Sequence, residues 1–310
     1  MRVLFWGTPE FATPPLRALL GEGFDVAGVV TQPDKPVGRG RSTVQAPAVK
    51  RVALEEGLLV LQPEKPRGEE FMTQIRELRP DISVVVAYGH ILRREVIELP
   101  THGTFNIHAS LLPELRGAGP IQAAIREGLE WTGVSIMRMV ERLDAGPVVL
   151  QLGTSVLEDE TYGELALRLS ELGAAAMIES LALLEAGKAQ ESPQVESQAT
   201  YAPKVDRQAT RVDWTSDART VSRMVRAYDP KPGAMTTLDR ADVKLFGARL
   251  APSRSSTTPG EVLSVDKDGL VVACGEGSVR LVQVQPAGKK RMAPDEWARG
   301  RGVAVGQRFT

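Results

Sequence analysis

Short apolar runs alternate with amphipathic segments through the first half of the chain. In the amphipathic segments, apolar residues recur every three or four positions, which is typical of helices, whereas the runs are rich in β-branched residues. The predicted strands lie near residues 2–6, 25–32, 58–62, 82–89 and 103–108. Strands that alternate with helices at this spacing are joined by right-handed crossovers. The pattern therefore predicts an α/β fold with a mostly parallel sheet, covered by helices on both faces at the apolar run VVVA.

The pattern changes after Gly128. Two β-rich runs on either side of the loop LDAGP predict a pair of strands, and a long helical pattern covers residues 161–187. Residues 190–207 contain few apolar residues and show no period, so they predict a linker. Beyond them, turn-separated β runs and one helix near Ala218–Ala227 predict a small β-barrel domain. The expected domains are thus residues 1–189 and 208–310.

Charge is distributed unevenly along the chain. The 310 residues carry a net charge of −1, but residues 207–310 contain 18 Lys and Arg against 11 Asp and Glu. This excess favours contact with a polyanion, the alternative being a chance difference between two surfaces. The single cysteine, Cys274, allows no internal disulfide, no apolar run approaches the roughly 20 residues of a membrane helix, and no signal-peptide pattern is present. We therefore expect a cytoplasmic protein.

The stretch FNIHASLLPELRG, residues 105–117, ends a predicted strand with two polar side chains. Because alternate residues of a strand share a face, Asn106 and His108 point the same way, and open α/β sheets bind ligands beyond the carboxyl ends of their strands. An amide donor and an imidazole aimed at one point can stabilise an oxyanion that forms on a carbonyl. The alternative is a histidine that merely caps the strand.

Asp144, in RLDAGPVV, is a potential partner of His108. A carboxylate beside the imidazole would favour its charged form and fix its orientation. An aspartate before Gly-Pro is also typical of a turn, and the spacing does not prove that the two residues meet. The loop SLLPELRGAGP offers backbone groups and apolar side chains to a flat ligand, or else it packs its leucines inward.

Motifs for dinucleotide, phosphate and zinc binding are missing from the sequence. The first turn, FWGTPEFA, has one glycine where a dinucleotide fingerprint needs three, P-loop spacing is missing, and the histidines are too few and scattered for zinc. We therefore expect neither a nicotinamide cofactor nor a metal.

Two loops are basic, namely residues 32–43 and residues 285–292. They contain Lys35, Arg39, Arg41, Lys289, Lys290 and Arg291. Both loops suit phosphate contacts, although either one alone is also compatible with a solvated loop.

Two longer stretches, NIHASLLPELRGAGPIQ and TGVSIMRMVERLDAGPVV, resemble the folate-dependent formyltransferases. The segments FWGTPEFA, TQPDKPVGRGR, VVVAYGHIL, TYAPKV and QPAGKK are similar to segments of that family in the same order, so the resemblance covers essentially the whole chain. The N-x-H, SLLPxxRG and LDxG motifs are specific to the family. The GRG loop and QPAGKK resemble the branch that formylates tRNA. His90 departs from the pattern, in which an apolar residue is expected.

The resemblance implies a Rossmann-like N-terminal domain that binds 10-formyltetrahydrofolate, and an OB-like C-terminal β-barrel that helps to hold initiator methionyl-tRNA. The implied reaction moves the formyl group from the folate to the α-amine of the methionine. This exchange of one amide for another requires no metal, and we expect a monomer because nothing in the sequence demands an oligomer. The implied catalytic residues are Asn106, His108 and Asp144. The implied folate-binding residues are Ser110, Leu111, Leu112, Pro113, Tyr88, Gly89, Ile91 and Leu92. The implied tRNA-binding residues are Lys35, Arg39, Arg41, Lys204, Lys289, Lys290 and Arg291.

Three alternative functions share these motifs. A sugar-nucleotide N-formyltransferase would use the same trio on a different amine, but it would not need a basic arm. A 10-formyltetrahydrofolate hydrolase would use water as the acceptor, and it would not need a basic C-terminal domain. A non-catalytic tRNA-binding protein would not need Asn106, His108 and Asp144.

Overall fold

A computed structural model describes residues 1–37, 43–252 and 258–310 of the chain. The chain divides into two compact units. The first, called here the N-terminal unit, comprises Met1–Gly117, Thr132–Thr154 and Ala166–Tyr201. The second, the C-terminal unit, comprises Ala118–Trp131, Ser155–Leu165 and Ala202–Thr310. Two segments that precede residue 189 in the sequence therefore cluster with the C-terminal residues.

Nine strands and six α-helices precede residue 190 within the described ranges, with a short 3-10 helix at Glu10–Ala12. The strands are β1 (Arg2–Gly7), β2 (Asp25–Val30), β3 (Lys35–Val37), β4 (Thr43–Gln45), β5 (Val60–Leu61), β6 (Ile82–Val86), β7 (Thr104–His108), β8 (Trp131–Arg138) and β9 (Val148–Ser155). The helices are α1 (Thr13–Gly21), α2 (Ala48–Glu55), α3 (Glu69–Glu77), α4 (Arg94–Ile97), α5 (Pro120–Glu127) and α6 (Tyr162–Glu185).

The main sheet has seven strands in the order β5-β2-β1-β6-β7-β8-β9. The pairs β1/β2, β1/β6, β2/β5 and β6/β7 are parallel, whereas β7 and β8 are antiparallel. The chain moves outward from β1 through β2 to β5, and then crosses to β6 and β7 on the other side of β1. Right-handed crossovers in opposite directions place their helices on opposite faces. The Rossmann-like fold expected from the sequence is thereby confirmed, with one antiparallel extension.

The reversal of strand order lies between β1 and β6. Ligands of such sheets bind at this position, beyond the carboxyl ends of the strands. All five residues of β6 are buried, and its neighbourhood packs Trp6, Phe71 and Ile75 into one core cluster. A rigid core thus supports the strand ends that carry the polar residues.

Helix α5 and the hairpin of β3 and β4 were not expected from the sequence. Helix α5 begins with Pro120, whose fixed φ suits the first helical turn, and its C-terminal cap is Gly128 in the left-handed region at φ 71. The preceding GAG sequence hides this start within an apparent loop. Strands β3 and β4 pair across residues rich in Pro and Gly, which are poor predictors of strands.

The C-terminal unit contains a five-stranded antiparallel sheet in the order β10-β11-β14-β13-β12. Its elements are α7 (Ala218–Ala227), β10 (Ala234–Leu238), β11 (Ala241–Ala251), β12 (Val262–Asp266), β13 (Gly269–Ala273), β14 (Ser278–Pro286) and α8 (Pro294–Arg299). Helix α7 has the predicted bounds, because Asp217 caps it by accepting a hydrogen bond from the Thr220 backbone N–H at 3.0 Å. Trp214 and Phe309 stack in the core at 5.7 Å between ring centroids.

Residues 306–310 pair with both edge strands of this sheet. Thr310 exchanges two backbone hydrogen bonds with Thr237 of β10, at 2.8 and 2.9 Å. The Val262 N–H of β12 donates to Gln307 O at 2.8 Å, and the Gly306 N–H donates back to Val262 O at 2.9 Å. This segment therefore connects the two edges, as the closure of a barrel requires. Within the described residues, no helix is both long and apolar enough to span a membrane.

Candidate active site

Asn106 and His108 lie at the carboxyl end of β7, where their side chains share one face of the sheet. His108 is buried, with 5% of its surface exposed, whereas Asn106 is half-buried. Among the residues that the structure describes, none makes a hydrogen bond with the Asn106 amide. Asn106 is also the only asparagine in the 310 residues, a signal that the sequence analysis did not use. Its amide donors are thus free to bind a ligand.

His108 contacts a carbonyl and a carboxylate from two different loops. Its Nε2 donates to the Leu115 carbonyl oxygen at 3.0 Å, and its Nδ1 lies 3.8 Å from Asp144 Oδ2. The carbonyl fixes the plane of the ring, while the carboxylate is at ion-pair rather than hydrogen-bond distance. A second proton on the imidazole would therefore be placed at Nδ1, facing the charge of Asp144. The structure brings together the two residues whose proximity the sequence left open.

The backbone at both His108 partners is unusual. Leu115 has a φ of 55° and Asp144 a φ of 50°, in the left-handed region that residues with a Cβ seldom adopt. Asp144 is 9% exposed, and its Oδ2 accepts a hydrogen bond from the Gly117 N–H at 2.8 Å. Backbone strain of this kind persists only where the surrounding contacts hold it in place.

The segment Ser110–Pro113 is tied to the neighbouring strands through its backbone. Ser135 Oγ donates to Ser110 O at 2.7 Å and accepts from the Leu112 N–H at 2.9 Å, while Gln151 Nε2 donates to Leu112 O at 2.8 Å. The side chains of Ser110 and Leu112 are buried, whereas Leu111 and Pro113 are half-buried. Only the latter two side chains are therefore exposed to a ligand from this segment.

The segment around Tyr88 presents mostly backbone to the outside. The Tyr88 ring is 1% exposed and packs edge-on against Trp6 at 5.3 Å, while Leu92 is 3% exposed. The side chain of Ile91 is 81% exposed, and Gly89 has a φ of 91°. The family resemblance implies that these four residues contact the folate. In the structure, a ligand can reach the side chain of Ile91, but only the backbone of the other three residues.

The Tyr88 hydroxyl has no hydrogen-bond partner within the described part of the chain. Burial raises the pKa of this phenol to about 12, so it stays neutral. Replacing Tyr88 with phenylalanine removes a desolvated polar group and leaves the ring in place. We expect Tyr88→Phe to keep or raise the free energy of unfolding, by about 1 kcal/mol, since an unsatisfied hydroxyl is costly to bury.

Denaturant unfolding and folate titration of Tyr88→Phe check this expectation. The folate affinity should remain that of the parent protein, because the hydroxyl is not exposed to a ligand. A clear loss of folate affinity in a stable Tyr88→Phe variant would show that the hydroxyl contacts the ligand.

The first basic loop is anchored at its base. Lys50 forms an ion pair with Asp34 at 2.8 Å, and Gln62 Nε2 donates to Asp34 Oδ1 at 2.8 Å. The hydrogen bonds from Gln62 and from Lys50 lower the pKa of the Asp34 carboxyl. Lys35 is exposed, and its Nζ donates to Gln32 Oε1 at 2.7 Å. Arg39 and Arg41 lie outside the described residues.

The second basic loop contains two exposed lysines and one arginine that is paired with an aspartate. Lys289 and Lys290 are exposed, as is Lys204 of the expected linker. Arg291 instead pairs with the buried Asp229 at 3.2 Å, and its guanidinium lies 3.9 Å from the centroid of the Phe246 ring. The charge of Arg291 is thus paired within the C-terminal unit, while the residue itself remains exposed.

Known protein families match both the N-terminal and the C-terminal part of the chain. Residues 1–181 match the family model described as formyl transferase, and residues 204–302 match that of the formyl transferase C-terminal domain. A methionyl-tRNA formyltransferase of Magnetococcus marinus is 48% identical over 308 residues, covering 99% of this chain and 98% of that protein. One of Bacillus licheniformis is 42% identical over 309 residues, with 99% and 98% covered.

Solved structures show the same fold at lower identity. HypX from Aquifex aeolicus, in complex with tetrahydrofolic acid, has a TM-score of 0.70 at 21% identity, covering 96% of this chain and 46% of that one. Methionyl-tRNA formyltransferase from Clostridium thermocellum has a TM-score of 0.59 at 12% identity, with 91% and 99% covered. The resemblance seen in the sequence motifs is confirmed, and the chain belongs to the formyl transferase family, in its methionyl-tRNA formyltransferase branch.

Proposed function

We propose that this protein transfers the formyl group of 10-formyltetrahydrofolate to the α-amine of methionine on initiator tRNA. The product, formylmethionyl-tRNA, serves translation initiation, so the reaction takes place in the cytoplasm. The observation that carries the proposal is the 48% identity to a methionyl-tRNA formyltransferase over 99% of this chain, which includes the basic residues 207–310. A folate donor is also compatible with the tetrahydrofolate bound to the structurally similar HypX.

The proposed chemistry exchanges one amide-like bond for another. The methionine amine attacks the formyl carbon, a tetrahedral intermediate forms, and the bond from that carbon to the folate nitrogen breaks. One proton leaves the attacking amine and one is delivered to the departing folate nitrogen, so no energy source is consumed. The negative charge of the intermediate develops on the formyl oxygen, where donors held in advance lower the barrier most.

Asn106 and His108 are the proposed donors. The free amide of Asn106 would hydrogen-bond the formyl oxygen, and the protonated imidazole of His108 would supply a positive charge beside it. Asp144, 3.8 Å from Nδ1, would stabilise that imidazolium and orient a water that carries the proton from the amine to the folate. The half-buried Leu111 and Pro113, with the exposed Ile91, are the proposed side-chain contacts of the folate.

The proposed tRNA-binding residues are basic residues of the first basic loop, the linker and the second basic loop. These are Lys35, Arg39, Arg41, Lys204, Lys289, Lys290 and Arg291. Contacts of lysine and arginine with phosphates release counterions, so binding of tRNA should weaken as salt is raised.

The decisive experiment is formyl transfer from 10-formyltetrahydrofolate to methionine-charged initiator tRNA. Uncharged tRNA and an amino-sugar nucleotide are supplied in parallel as acceptors, and formate release is followed without any acceptor. Formylmethionine on the charged tRNA alone is the expected result. Formylation of the sugar alone, or release of formate alone, would refute the proposal.

A further inference from the structure

Gln194 connects the two loops that contact His108. Its Oε1 accepts hydrogen bonds from Arg116 Nε at 3.0 Å and from Arg116 Nη2 at 2.9 Å. Its Nε2 donates to the carbonyl oxygen of Asp144 at 2.8 Å and to that of Gly146 at 2.7 Å. One amide thus joins the loop after β7 to the loop before β9, and all of its hydrogen-bonding groups are used.

The orientation of this amide follows from its neighbours. A guanidinium has only donors, so the atom facing Arg116 must be the amide oxygen. Backbone carbonyls have only acceptors, so the atom facing Asp144 and Gly146 must be the amide nitrogen. A side chain that serves both loops must therefore carry an acceptor and two donors on one short group. Glutamine fits this requirement, whereas glutamate, with acceptors alone, does not.

Arg116 makes the connection rigid on the side of the first loop. Only 1% of its surface is exposed, and its third nitrogen, Nη1, donates to Glu196 Oε2 at 3.0 Å. It directly follows Leu115, whose carbonyl accepts the hydrogen bond from His108. Thr200 adds to the same connection, since its Oγ1 accepts from the Leu115 N–H at 2.8 Å.

The residues held by this connection are those with strained backbone. Leu115 and Asp144 both have positive φ, which the surrounding structure must stabilise. They are also the residues that contact the two nitrogens of His108. Gln194 thus hydrogen-bonds Asp144 and the neighbour of Leu115, without a hydrogen bond to His108 itself.

We infer that Gln194 is a positioning residue for formyl transfer, acting through Asp144 and Leu115 on His108. This role rests on the proposed function, because the loops matter for rate only if His108 participates in the chemistry. Outer residues that orient catalytic groups typically contribute about 10–100-fold to activity. Loss of Gln194 should lower the rate of the chemical step rather than the affinity for folate. Its amide hydrogen-bonds neither Leu111 nor Pro113, whose side chains are the proposed folate contacts of the loop.

The test is Gln194→Glu, compared with Gln198→Glu as the matched control. Both changes add one negative charge to the same segment, but Gln198 is exposed and lies outside the connection. We expect Gln194→Glu to lower kcat by about 10–100-fold with KM for folate and for charged tRNA unchanged. Gln198→Glu should retain the parent kcat. Rates are expressed per folate-binding site, so unfolded protein does not count as lost catalysis.

A double-mutant cycle separates positioning from a general structural effect. Asp144→Asn removes the charge through which Gln194 is inferred to act, so adding Gln194→Glu to Asp144→Asn should cost much less than it costs alone. Provided that the parent enzyme is active, any of three results would overturn the inference. The losses of kcat in the two single variants multiply fully in the double variant, only KM changes, or Gln194→Glu and Gln198→Glu have equal rates. A parent inactive on charged tRNA would refute the proposed function itself, and with it the role of Gln194.

Discussion

Asn106→Asp should lower kcat for formyl transfer by about 10²–10³-fold, which is the usual cost of losing one oxyanion donor. Aspartate has the shape of asparagine but offers no N–H, and its charge would repel the developing oxyanion. The affinity for 10-formyltetrahydrofolate should change little, because the donor acts on charge that exists only in the transition state. Steady-state kinetics and folate titration on the same preparation measure both quantities.

The geometry makes this variant informative. No described group hydrogen-bonds the Asn106 amide, so its loss breaks no hydrogen bond within the described structure. His108→Ala should lower kcat similarly, and His102→Ala is its matched control, because His102 is exposed and lies outside the site. Near-native turnover of Asn106→Asp or of His108→Ala would contradict the proposed mechanism, whatever the control shows.

Charge reversal at both Lys289 and Lys290 should reduce kcat/KM for charged tRNA by about 10²-fold at low salt, since each lysine is expected to neutralise one phosphate. The slope of log(kcat/KM) against log salt concentration should fall by about 1 for each lysine removed. KM for the folate should stay unchanged, because these residues belong to the C-terminal unit. Initial rates over a salt series give both results.

Lys188→Glu with Lys267→Glu is the matched control for this double variant. Both control lysines are exposed and neither is a proposed tRNA-binding residue. Their reversal changes the net charge by the same amount, so it reveals any effect of charge that is not tied to a surface. An unchanged salt slope in the Lys289→Glu, Lys290→Glu variant would rule out direct phosphate contacts by this loop.

The sequence predicted the elements that have strong local signals. Helix α7 combines a capping Asp217 with apolar positions at helical spacing, and β6 is a continuous β-branched run. Strand β10, AMTTL, was missed because a short run with two threonines has little period. Helix α5 was missed because Pro and Gly at its start indicate a loop when they are read without tertiary contacts.

The residues of the candidate site could be predicted from the sequence, but the contacts between them could not. The N-x-H motif and Asp144 were recognised, yet no spacing rule shows that Asp144 lies 3.8 Å from His108. The ion pair of Arg291 with Asp229 could not be predicted either, because the two residues are remote in sequence. The network of Gln194 links residues of three separate segments, so only the folded chain reveals it.

The pairing of residues 306–310 protects the C-terminal unit from intermolecular strand addition. An edge strand with unpaired backbone groups is a template on which another chain can build, and this is a common start of aggregation. Here the backbone groups of Thr237 are hydrogen-bonded to Thr310, and those of Val262 are hydrogen-bonded to Gly306 and Gln307. At these positions the edges of the barrel are therefore closed to another chain.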